Sequence, residues 1–97
     1  VQAIYYAVNN GAKILNNSWG SSGYSQALKD AIAYAYTKKA LFVAAAGNAA
    51  GNNDVSPMYP ATYDVPNVIS TAATTPSDGF AYFSNYGSAT VHMGSPG

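Results

Sequence analysis

Apolar residues recur along this chain at two periods, and its elements begin and end where one period gives way to the other. Val1, Ile4, Tyr5 and Val8 fall at helical spacing, and Asn9-Asn10-Gly11 then supplies a left-handed stop. A short strand comes next over Ala12 to Asn16, with Ile14 and Leu15 adjacent, as in a strand buried on both faces. The helical period returns after Ser25, a candidate N-cap. Leu28, Ala31, Ile32 and Ala35 make one face, and Lys38-Lys39 sit where the helix dipole favours cations. Leu41 to Ala46 is an unbroken apolar run stopping at Gly47, which reads as a second strand covered on both faces.

Strand, helix of about four turns, strand is a βαβ unit, and such crossovers are right-handed in nearly all proteins. The two strands are therefore expected to be parallel. Ala49 to Tyr63 is rich in Gly, Asn and Pro and reads as an irregular loop, with Tyr59 held extended by Pro60. Val68 to Ala73 is a third strand and Thr74 to Gly79 a turn. Phe80 to Val91 reads as a short antiparallel excursion bent at Phe83-Ser84-Asn85-Tyr86-Gly87. His92 falls in a short strand, Thr90 to Met93, and Ser95-Pro96-Gly97 is a turn signal. The fold class is α/β, a mostly parallel sheet with flanking helices.

This topology says where chemistry belongs. Open parallel sheets bind ligands outside the carboxyl ends of their strands. Ser18-Trp19-Gly20 and Gly47-Asn48 both come directly after such ends on one edge of the sheet, and are expected to line one cleft. Asn48 presents a carboxamide there. Such a neutral donor can meet an oxygen that becomes negative only in a transition state, with no counter-ion and no change of protonation. Around Gly20 the backbone groups are free to pair with an extended peptide. Blander readings stand beside these: Gly47-Asn48 as a plain turn pair, and Trp19 as an anchor packed over the helix.

Composition narrows the classes. Charged residues are 8% of the 97, against roughly a quarter in ordinary soluble domains. So few solvated faces, an uncapped helix at Val1 and a turn signal at the other end read as the interior of a larger domain. Four basic and four acidic residues leave a net charge of zero, with no basic patch for nucleic acid and no polybasic segment for a membrane. There is no cysteine, hence no disulfide framework or thiolate metal site. The single histidine, His92, reads as structural or exposed, no serine sits in a nucleophile-elbow pattern, and the aspartates show no paired spacing. Nine tyrosines read as core and rim packing.

Taken in order, Gly11-Ala12-Lys13-Ile14-Leu15-Asn16-Asn17-Ser18-Trp19-Gly20, Val43-Ala44-Ala45-Ala46-Gly47-Asn48, Tyr59-Pro60-Ala61, Val68-Ile69, Phe83-Ser84-Asn85-Tyr86-Gly87 and Ser95-Pro96-Gly97 span the whole chain. This series resembles the subtilisin-like serine proteases. The resemblance implies part of a three-layer α/β peptidase domain, secreted, that hydrolyses peptide bonds in proteins with a Ser/His/Asp triad. Asn48 matches the family's oxyanion-hole asparagine. Ser18, Trp19 and Gly20 match the segment whose backbone pairs with substrate, Ala45, Ala46 and Gly47 match a wall of the specificity pocket, and Met58 falls near its floor. The family's aspartate and histidine segments would precede Val1, and its nucleophile segment would come after Gly97. The remainder of the peptidase domain is thus an expected partner. His92 stands where the family usually has an aspartate that helps hold a cation, with the carbonyls of Ala61 and Tyr63 as the other half. Calcium is the one cofactor the resemblance admits. The alternative is a protease-like module that kept the groove, lost the triad and binds extended peptides. A small standalone structural domain is a third reading, disfavoured by the low charge.

Overall fold

The computed structural model describes residues 1–97. Six elements succeed one another: α1 (Gln2–Asn9), β1 (Ile14–Asn17), α2 (Gln26–Thr37), β2 (Leu41–Ala45), β3 (Val68–Thr74) and β4 (Met93–Pro96). The four strands form one sheet in the order β1-β2-β3-β4, and every pairing is parallel. Ile14 pairs with Leu41, Phe42 with Val68, and Thr71 with Met93.

α2 starts where its cap lies: the Ser25 hydroxyl accepts the Leu28 amide at 3.2 Å, satisfying one of the donors a helix start leaves free. It ends at Lys38, and Lys39 takes a left-handed φ of 61°, letting the Ala40 amide reach back to the Ala35 carbonyl at 3.0 Å. The core lies between the two helices and one face of the sheet. It joins Ile4 and Val8 of α1, Ala31, Ile32 and Ala35 of α2, and Phe42, Ala44 and Val68 of the strands. Tyr63 closes its edge: its hydroxyl donates to the Ser25 carbonyl and accepts the Ser25 amide, each at 2.9 Å, tying the long loop to the start of α2.

Three expectations are corrected. The strands are covered on one face only. Along β2 burial alternates, with Phe42 and Ala44 fully buried and Leu41 44% exposed, because both helices pack on the same side. β1 shows the same, with Ile14 64% exposed. Secondly, Phe80 to Val91 is no antiparallel excursion beyond the single bridge of Phe80 to Thr74. Its backbone is claimed instead by the loop after β2: Asn85 donates to the Gly47 carbonyl, Tyr86 to that of Gly51, and Ala50 donates to that of Phe83. Thirdly, the turn signal at Ser95-Pro96 lies in β4, a parallel edge strand, and the short strand expected from Thr90 starts only at Met93. The outer strands also shift slightly, β1 beginning at Ile14 rather than Ala12.

Candidate active-site cleft

β1 and β2 end side by side, Asn17 in register with Ala44, so the chain leaves both strands on the same edge of the sheet. Ser18, Trp19, Gly20, Ala45, Gly47, Asn48 and Met58 line one cleft of about 180 Å³ there. Of the residues singled out in the sequence, only Ala46 lies outside it. Side chains alternate along a strand, so Ala45 opens to the cleft while Ala46, 1% exposed, turns to the opposite side.

Each wall is held by backbone pairing. Ser21 and Tyr59 exchange two amide–carbonyl bonds of 2.8 Å, clamping the Ser18–Gly20 segment against Met58 and Tyr59. A Cβ on Gly20 would stand 2.9 Å from the Tyr59 carbonyl oxygen and 3.3 Å from Met58 Cγ, so only glycine permits this approach. Met58 is itself fixed by Thr62, whose hydroxyl accepts the Met58 amide at 3.2 Å and whose amide donates to the Met58 carbonyl at 2.9 Å. Trp19 is half exposed. Its indole N–H donates to Asn17 Oδ1 at 3.3 Å, and Asn17 in turn donates to the Val43 carbonyl.

Gly47 turns the chain out of β2 with φ of 122°, and Asn48 stands exposed at the rim. The Asn48 carboxamide enters no hydrogen bond within the chain, so its N–H groups are free for an oxygen in the cleft.

Two buried residues that sequence reasoning passed over sit behind this turn. Asn53, 1% exposed, donates to the Ala46 carbonyl at 2.9 Å, and Asn85, 2% exposed, donates to Asn53 Oδ1 at 2.9 Å. Nearby, the Asp54 carboxylate accepts the hydroxyls of Thr90 and Ser88 and the amides of Ala89 and Thr90. The Thr90 hydroxyl is the main reason its pKa falls from 3.8 to about 2; desolvation, the next largest influence, opposes it, and the other three donors each lower the pKa by less. The local signals were the Asn-rich run Gly51-Asn52-Asn53-Asp54 and, for Asn85, the bend Phe83-Ser84-Asn85-Tyr86-Gly87, neither of which announces a buried side chain.

His92 meets the amide of Ser70, which donates to its Nδ1 at 2.9 Å, while the Ser70 hydroxyl, buried, makes no hydrogen bond. That geometry makes no nucleophile–base pair. It does not suit calcium either, which takes six to eight oxygens. The side chain at position 92 offers a ring nitrogen already engaged where an oxygen is needed, and no three His, Asp or Glu side chains converge anywhere in the chain. A larger cavity of about 280 Å³, between Thr74, Phe80, His92 and Met93, lies at the far edge of the sheet and shares no residue with the cleft.

A four-stranded parallel sheet with two helices on one face is the fold this chain shares with solved subtilisin-like proteases. The chain belongs to the Subtilase family, whose model matches residues 1–97. It is 43% identical to thermitase of Thermoactinomyces vulgaris over 97% of its own length and 32% of that protein. It is 40% identical to subtilisin-like protease 2 of Plasmodium falciparum over its whole length and 8% of that protein. Among solved structures, a psychrophilic subtilisin-like protease from the Antarctic psychrotroph Pseudoalteromonas sp. AS-11 superposes with a TM-score of 0.86 at 37% identity, covering 99% of this chain and 21% of that one. The chain thus spans a third or less of each of these relatives.

Proposed function

We propose that these residues form the cleft-bearing part of a serine endopeptidase catalytic domain, with Asn48 as a donor to the oxyanion of the tetrahedral intermediate. The observation that carries this reading is the unbonded Asn48 carboxamide at the rim of a cleft walled by Ser18–Gly20 on one side and Ala45, Gly47 and Met58 on the other. An extended peptide laid along Ser18–Gly20 would pair with backbone groups, and its side chain would enter between Ala45 and Met58. As attack converts the carbonyl to an oxyanion, an Asn48 N–H donates to a charge absent from the ground state, and so favours the transition state over the substrate.

Nucleophile, base and orienting carboxylate come from the remainder of the peptidase domain, of which 1–97 is the central part. The half-covered sheet supports that reading, since parallel sheets are ordinarily covered on both faces. The face carrying Leu41 and Ile14 is where a second helical layer would pack. Secretion belongs to the same proposal. Separately, no helix here is long and apolar enough to cross a membrane.

The test is labelling of the full-length parent with a serine-directed fluorophosphonate, with peptide mass spectrometry to locate the adduct. A label on a serine outside 1–97, together with cleavage of a protein substrate, is the expected result. Folded full-length protein that takes no label and cleaves nothing overturns the reading.

A further inference from the structure

The buried pair Asn53 and Asn85 forms a relay of carboxamides with only one workable orientation. At one end stands the Ala46 carbonyl, an acceptor, so Asn53 must turn its NH₂ towards it, at 2.9 Å. That leaves Asn53 Oδ1 facing Asn85, which must answer with its own NH₂, again at 2.9 Å. Asn85 Oδ1 then points at the far end of the relay, where two donors wait: the amides of Ala49 at 2.7 Å and Gly51 at 3.2 Å. The Asn85 main-chain amide adds a bond to the Gly47 carbonyl at 2.9 Å. The backbone is therefore gripped at 46, 47, 49 and 51, with Ala50 donating to the Phe83 carbonyl, and the residue left ungripped in the middle is Asn48.

We infer that Asn53 and Asn85 are positioning residues for Asn48: their relay fixes the turn that aims its carboxamide into the cleft. The physical need is plain. A turn of Gly, Ala and Asn has no side-chain bulk to hold its shape, and an oxyanion donor works only within a narrow distance of the developing charge. Both amides are almost wholly buried, so the relay is shielded from competing water. Their polarity is set from both ends, so replacing either NH₂ by an oxygen puts two acceptors face to face.

This inference rests on the reading of Asn48 above. It is tested in the full-length parent with Asn85→Asp, which keeps size and the acceptor for Ala49 and Gly51 but sets an oxygen against Asn53 Oδ1. Measured per fluorophosphonate-titrated site, kcat is expected to fall about ten- to hundred-fold, the scale of a misplacement near 1 Å, with KM within about two-fold. Made in an Asn48→Ala background, the same substitution should change kcat less than about three-fold, since it then has nothing to aim. Equal losses in both backgrounds, or no loss in the first, overturn the inference. Asn53→Asp breaks the neighbouring link of the relay, setting an oxygen against the Ala46 carbonyl while still accepting from Asn85, and serves if the first variant does not fold. A wild-type parent that neither labels nor cleaves is a different failure, one that removes the protease reading and this inference with it.

Discussion

The carboxylate of Asp54 accepts the Thr90 hydroxyl at 2.6 Å and the Thr90 amide at 3.0 Å, so one exposed side chain closes a span of 36 residues. It ties the loop behind the cleft to the segment that leads into β4. Because the folded pKa of about 2 lies below the ordinary 3.8, this contact contributes its full stability above about pH 4. That contribution disappears as pH falls through about 2. Asp54→Asn in the parent should therefore lower the denaturation midpoint near neutrality, and the gap from wild type should narrow steadily between about pH 4 and pH 2. Denaturant titrations at several pH values check it; a gap that does not narrow speaks against the ionic origin.

Asn48→Ala should lower kcat of the parent by about 10²–10³, the size known for losing such a donor in a subtilisin itself, with KM little changed. Steady-state kinetics on a peptide substrate decide it. An unchanged kcat would return Gly47-Asn48 to the status of a turn.

Gly47→Ala meets two obstacles at once. Its φ of 122° is poorly open to a side chain, and the new Cβ would stand 2.6 Å from Asn85 Nδ2. A stability loss of about 1–3 kcal/mol is expected, together with lower kcat, since the strain falls on the turn that carries Asn48. Thermal unfolding and kinetics of the same preparation would show both; loss of neither would mean the turn adapts freely.

Met58→Ala opens the cleft where Met58 Cγ faces Gly20. The ratio of kcat/KM for a substrate with a large side chain over one with a small side chain should rise about ten-fold. Paired substrates differing at one residue measure it, and an unmoved ratio places Met58 outside the specificity pocket.

What the sequence made legible was local. The Ser25 cap, the 3.6-residue stripe of α2 and the run at Leu41 each declare themselves within a few residues, and all three stand in the structure. The cleft could be read from topology, because residues after parallel strand ends have one place to go. Ala46 was lost to the two-residue alternation that separates it from Ala45. β4 was illegible because Met-Gly-Ser-Pro carries no strand pattern of its own. It is a strand only because β3 offers it a partner, and Pro96 is tolerated because the strand lies at the sheet edge. Asn53 and Asn85 look like loop asparagines until their partners, 32 residues apart, are brought together.

The one-sided sheet also bears on the order in which the parent assembles. β1, α2 and β2 are neighbours in sequence, so their contacts close small loops and should form early, whereas cover for Ile14 and Leu41 must come from further away. During synthesis an oily, hydrogen-bonded surface would thus exist before anything arrives to shelter it. That interval is when this polypeptide is most open to sticking to its neighbours, and a charged residue at position 14 or 41 would lessen the hazard in the nascent chain while spoiling the face on which the proposed second layer packs.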